Sequence, residues 1–93
     1  MYKILRSKSF RKSVKKIEKS GNKNNFRKLE NIIDELSLDT LLNSKYRNHP
    51  LSGDMSDYRE CHVGSDLLLI YKRDIKNKVI FLLDIGNHND LFK

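Results

Sequence analysis

YRECHVGSDLLLIYKRDIKNKVIFLLDI, residues 58–85, decides the fold. Its first six positions alternate, which in an extended chain puts Arg59, Cys61 and Val63 on one face and Tyr58, Glu60 and His62 on the other. Gly64-Ser65 predicts a turn. Residues 67–73 are almost continuously apolar, as in a buried strand, and residues 74–78 form a second polar turn before another buried strand over 79–85. Three strands joined by turns this short predict an antiparallel meander.

Upstream, the period changes from 2 to 3.6. Residues 2–6 predict a short strand, ended by Ser7 and Ser9, either of which can cap a helix. Phe10, Val14 and Ile17 follow at i, i+4 and i+7, with Lys8, Arg11, Lys12, Lys15, Lys16 and Lys19 on the other side. Gly21-Asn22 closes that helix. Asn24 or Asn25 is expected to cap a second one, with the stripe Phe26, Leu29, Ile32, Ile33 and Leu36. Two amphipathic helices separated by about four residues predict a hairpin packed on one face of the sheet. Residues 43–57 lack periodicity and hold the single proline, so they are expected to form a long loop, of the kind that is either functional or disordered. The fold class is α+β: an N-terminal strand, a two-helix hairpin and a mostly antiparallel three-stranded meander, in one domain over residues 1–93.

Composition bounds what such a domain can do. With 93 residues it has one core, and that core is too small to enclose a large cofactor. The longest apolar run, Leu67–Tyr71, is far short of the ~20 residues that cross a bilayer, so no membrane association is expected. A single cysteine, Cys61, excludes an internal disulfide and fits a reducing compartment. With no signal-like apolar stretch in the opening residues, the expected location is the cytoplasm. Charge is uneven: residues 1–50 hold 13 Lys and Arg against 5 Asp and Glu, whereas residues 51–93 hold 6 against 7. A basic half joined to a near-neutral half points to a polyanion, most simply a nucleic acid.

The three histidines, His49, His62 and His88, all sit at element boundaries or in loops. In an antiparallel meander, His62 and the residues after the strand over 79–85 lie at the same sheet edge, and the Gly64-Ser65 turn holds Asp66 near His62. Imidazoles exchange protons near neutral pH. RNA cleavage by its own 2′-OH needs a base for that hydroxyl, an acid for the leaving 5′-oxygen and a cation for the phosphorane. The histidines and Asp66 could serve as acid and base, with Arg59, Lys45 and Arg47 as cations, and no metal or other cofactor is required. A zinc site is disfavoured because Cys61 and His62 are adjacent in a strand and point to opposite faces. No phosphate-binding glycine loop and no nucleophile elbow is present.

Four blocks in order, residues 46–53 (YRNHPLSG), 58–63 (YRECHV), 66–71 (DLLLIY) and 86–92 (GNHNDLF), resemble the YafQ branch of the RelE/ParE-type toxins. The resemblance implies a toxin of a type II toxin–antitoxin pair that cuts mRNA during translation on the ribosome without a metal. It also implies silencing by a cognate antitoxin, with operator DNA reached only through that complex. Carried over by position, it marks His49, His62, Asp66, His88 and Phe92. The expected roles are His88 as general acid, His49 or Asp66 as general base and His62 as orienter of the phosphate. Arg59 is expected to offset charge and Phe92 to contact the nucleotide. Two departures stand out: Leu67 occupies a position where the family often has Trp, and Asp84 one where Arg is frequent. An acid facing the site would repel phosphate and favour the competing reading, a non-catalytic module that binds ribosome, RNA or antitoxin.

Overall fold

A computed structural model of the chain describes residues 1–21, 23–38, 44–64 and 66–92. The elements are β1 (Lys3–Arg6), α1 (Lys8–Lys19), α2 (Lys23–Ser37), β2 (His49–Pro50), β3 (Arg59–His62), β4 (Leu68–Asp74), β5 (Val79–Gly86) and α3 (His88–Leu91). Single 3₁₀ turns lie at Ser44–Tyr46 and Gly53–Met55. The meander β3–β4–β5 forms as its alternation and turns predict, antiparallel throughout. Two strands extend it. β1 pairs parallel to β5, and β2 pairs antiparallel to β3, giving the order β1-β5-β4-β3-β2.

Ser7 is the α1 cap: its hydroxyl accepts from the Phe10 amide at 2.9 Å and donates to the Leu83 carbonyl, fastening the helix start to β5. Gly21, at φ +78°, lets the chain leave α1, and Lys23 N–H bonds back to its carbonyl. That tight exit starts α2 at Lys23, so Asn24 and Asn25 lie inside its first turn instead of capping it. Phe10 from α1 and Leu29, Ile32 and Leu36 from α2 are buried in one cluster with Cys61, Leu69, Tyr71, Ile80 and Leu82, inward positions of β3, β4 and β5, and with Val63 just past β3. Both helices therefore cover the same sheet face. A register shift between Ile70 and Tyr71 pairs them with Asp84 and Leu82, leaving Leu83 as an extra residue in β5. This bulge is why Leu82 and Ile85, three apart, both point into the core.

The opposite face of β3 carries Glu60 and His62, and β2 brings His49 directly across from Glu60. His62 pairs with Leu68, which pairs with Gly86, so the end of β3, the start of β4 and the end of β5 form one row. His88, two residues past Gly86, leaves from that same end of the sheet.

Candidate active site

His49 owes its place to the two-residue strand β2, which the aperiodic loop conceals in the sequence. Arg47, at φ +50°, turns the chain into it. Asn48 then locks the turn to the sheet, its Oδ1 accepting from the buried Tyr71 hydroxyl at 2.7 Å and from Arg59 Nε at 3.0 Å. Burial pushes the Tyr71 phenol above its ordinary pKa, an effect reinforced by Cys61 and partly offset by Arg59 and Asn48. Arg59 leaves β3 on the helix-covered face, opposite Glu60 and His62, and acts here as an anchor of Asn48.

On the other face, one carboxylate oxygen serves two imidazoles. Glu60 Oε1 lies 3.8 Å from His49 Nε2 and 3.8 Å from His62 Nε2, and the two rings are 6.2 Å apart. Glu60 is only 8% exposed, whereas about half of the His49 side chain faces solvent. The second ring nitrogen of His49 lies 2.7 Å from the Arg47 carbonyl. A carbonyl oxygen only accepts, so Nδ1 carries a proton and Nε2 is the ring nitrogen turned towards Glu60. Glu60 is the site residue that sequence reasoning missed. Its signal was present in the period of 2, which puts it on the His62 face; the pairing with His49 was not.

The remaining predicted residues divide into two groups. Lys45 and Arg47 line a cavity of about 550 Å³ together with His62 and, from α2, Lys28 and Asn31. Asp66 lines a different cavity, of about 530 Å³, with Asp84, Asp90, Asn87 and Lys16. His88 opens α3, whose cap Asn87 accepts from the Asp90 amide at 2.8 Å, and its ring lies 5.0 Å from that of the partly exposed Phe92. Among the described interactions none joins His88 or Asp66 to the His49–Glu60–His62 cluster; the shared row at the end of the sheet is what relates them. Asp84 does not face that cluster. Its two oxygens accept from Ser9 and Ser13 of α1 at 2.8 Å each. Cys61, beneath Glu60, is fully buried; desolvation, then the Glu60 charge, push its thiol up to about 12. Among the described residues, no group of three or more His, Cys, Asp or Glu is placed to hold a metal ion, and no helix is long and apolar enough to cross a membrane.

A family model described as the bacterial toxin YafQ of type II toxin–antitoxin systems matches residues 2–93. The chain belongs to the YafQ family. It is 38% identical over 66 residues, 70% of each chain, to the mRNA interferase toxin YafQ of Escherichia coli K12. Among solved structures, a metal-bound toxin from Helicobacter pylori superposes with a TM-score of 0.89 at 37% identity, covering 99% of this chain and all of that one. YafQ in the E. coli DinJ–YafQ complex superposes with a TM-score of 0.80 at 31% identity over the full length of both chains. YafQ-family membership accords with the α+β architecture and with the order of the four sequence blocks.

Proposed function

We propose that this YafQ-family toxin is an mRNA interferase, a metal-independent endoribonuclease acting on the ribosome. The observation that carries the reading is His49: its Nδ1 lies 2.7 Å from the Arg47 carbonyl, and its Nε2 lies 3.8 Å from Oε1 of the buried Glu60. Such an imidazole can take the proton of a 2′-OH, and Glu60 compensates the positive charge the ring then acquires. The 2′-oxygen attacks the adjacent phosphorus, forming an O2′–P bond. The P–O5′ bond breaks, and His88 delivers the proton that the leaving 5′-oxygen needs. The products are a 2′,3′-cyclic phosphate and a 5′-hydroxyl. His62, on the same Glu60 oxygen, orients the phosphate, and Lys45 and Arg47 offset charge on the phosphorane. Of the two bases considered, His49 and Asp66, the geometry favours His49, since Asp66 lies among other aspartates. Phe92, beside His88, supplies a ring on which a base can stack.

Two further assignments concern partners. The exposed lysines of α1, with no acid in its first turn, form a face suited to ribosomal RNA. The cognate partner is an antitoxin, in line with the DinJ–YafQ assembly of the relative. Primer extension on a reporter mRNA in a purified bacterial translation system tests the whole reading, comparing wild type with His88→Ala, with a ribosome-free arm in EDTA. Codon-phased cuts that require translation and vanish in His88→Ala are expected. Wild-type cutting by His88→Ala would remove the acid. Cutting of naked RNA in EDTA would remove the ribosome requirement, and no cutting in any arm would leave a binding module.

A further inference from the structure

Two cavities of similar size open near the row that ends β3, β4 and β5, and they differ in sign. The cavity containing Asp66 has three aspartates on its walls against one lysine. The other lies between α2 and the Ser44–Tyr46 turn, and every charged residue on its walls is a cation: Lys28, Lys45 and Arg47. His62 forms part of its rim, and Glu60 does not line it. Its volume, about 550 Å³, falls within the ~300–1,000 Å³ of small-ligand clefts. Tyr46 is buried, with Lys45 Nζ 5.1 Å from its ring centroid, so it acts as floor and not as a stacking platform. Asn31, exposed on α2 one turn from Lys28, is a neutral wall residue whose side chain both donates and accepts.

We propose that this cleft is the subsite for the nucleotide flanking the scissile phosphate on the His62 side, with its own phosphodiester held by Lys28, beyond the Lys45 and Arg47 that meet the scissile one, and its base edge met by Asn31. The proposal rests on the ribonuclease reading, which supplies the scissile phosphate at His62. Its new content is that α2, otherwise a packing element, contributes a wall of the substrate path. A point charge such as Lys28 positions a phosphate without reading sequence, whereas a carboxamide such as Asn31 can hydrogen-bond a base edge. The two residues therefore have separable effects.

The test uses fluorescence anisotropy with uncleavable 2′-O-methyl oligoribonucleotides of two to six nucleotides, each titrated at several salt concentrations. Wild-type affinity should rise as nucleotides are added until the cleft is filled. Lys28→Glu should weaken binding several-fold, evenly across sequences, and lower the slope of log K against log salt by about 0.7, the value of one single-strand phosphate contact. Lys28→Arg should keep both. Asn31→Ala should keep the slope and level the affinities of oligonucleotides that differ at one position. Both side chains are exposed, so thermal melts matching wild type are expected and separate these effects from misfolding. Unchanged affinity and slope in Lys28→Glu would overturn the subsite even if the wild-type protein cleaves. Lys28-dependent binding supports the cleft whatever the cleavage arm shows, and absence of wild-type cleavage on ribosomes would sink the ribonuclease reading alone.

Discussion

Asn48 carries a prediction whose size can be worked from three atoms. Its Oδ1 accepts from Tyr71, 1% exposed, and from half-buried Arg59. Tyr71→Phe removes one donor and leaves Oδ1 satisfied by the other, a loss of about 0.5–1.5 kcal/mol. Asn48→Ala removes the acceptor from both donors and strands a hydroxyl in the core. A buried unsatisfied polar group costs about 1–3 kcal/mol by itself, so Asn48→Ala should cost roughly 2–4 kcal/mol once the more solvated Arg59 is discounted. In the Asn48→Ala background, Tyr71→Phe removes the stranded hydroxyl and should be neutral or stabilising. The cycle therefore predicts a coupling of about 1–2 kcal/mol, which urea unfolding followed by far-ultraviolet circular dichroism resolves. Asn48→Asp keeps the accepting oxygen and should restore most of the stability. Because His49 is the next residue, the same ranking should appear in cleavage rate. Single effects that add within ~0.3 kcal/mol, or a Tyr71→Phe cost equal to that of Asn48→Ala, would refute the clasp.

Other expectations bear on the site and its surroundings. Glu60→Gln removes a charge 3.8 Å from each imidazole; near the exposed His49, that charge is worth about 1 kcal/mol in a water-like dielectric. Single-turnover cleavage should accordingly slow about five- to tenfold, and an unchanged rate would show that Glu60 does not compensate the rings. Cys61 keeps its proton in the folded state to about pH 12, whereas the unfolded thiol loses it near 9. Folding thus binds the proton more tightly. The contribution is intact below about pH 9 and is lost as pH rises towards 12, at up to about 1.4 kcal/mol per pH unit. Unfolding free energies between pH 8.5 and 10.5 should fall more steeply for wild type than for Cys61→Ala, and equal slopes would deny the shift. Charge reversal at Lys12, Lys15 and Lys16 should reduce co-sedimentation with ribosomes and its salt dependence; unchanged sedimentation at modest salt would leave them solvated surface.

What the sequence revealed, and what it hid, follows from length and locality. β3, β4 and β5 were legible because four to eight alternating or apolar residues between polar turns hold a signal over several periods. β2 has two residues, His49 and Pro50, and two residues have no period; its existence depends on β3 lying alongside. The parallel pairing of β1 with β5 joins residues 3–6 to 79–82, a contact that no local pattern encodes. The short helix α3 left a trace, Asn87 three residues before Asp90, which is the spacing of a side-chain cap. For the site the same division holds. His62 and the end of β5 could be placed at one edge from turn lengths alone. The Glu60 contact with His49 required the unseen strand, and the commitment of Arg59 to Asn48 required knowing that the loop folds back over Tyr71.

The two departures from the family pattern can now be placed. Asp84 raised the prospect of an acid repelling the substrate, yet its oxygens accept from the Ser9 and Ser13 hydroxyls, and Oδ1 also accepts from the Ile85 amide at 2.8 Å. The carboxylate therefore binds α1 to the bulged strand β5. The bulge is what makes this possible: the extra residue, Leu83, resets the alternation so that Asp84 reaches the helix while Ile85 still enters the core. The charge is compensated by hydrogen bonds but not cancelled, and with Asp66 and Asp90 it keeps one of the two cavities at that end of the sheet negative. With Leu67 offering no indole for stacking there, the proposed RNA path takes its cations from the other cavity, from His62 towards Lys45, Arg47 and Lys28. On the proposed ribonuclease reading, an acid where the family often has an arginine leaves the cation duty to the basic cleft, with the histidines as the proposed acid and base.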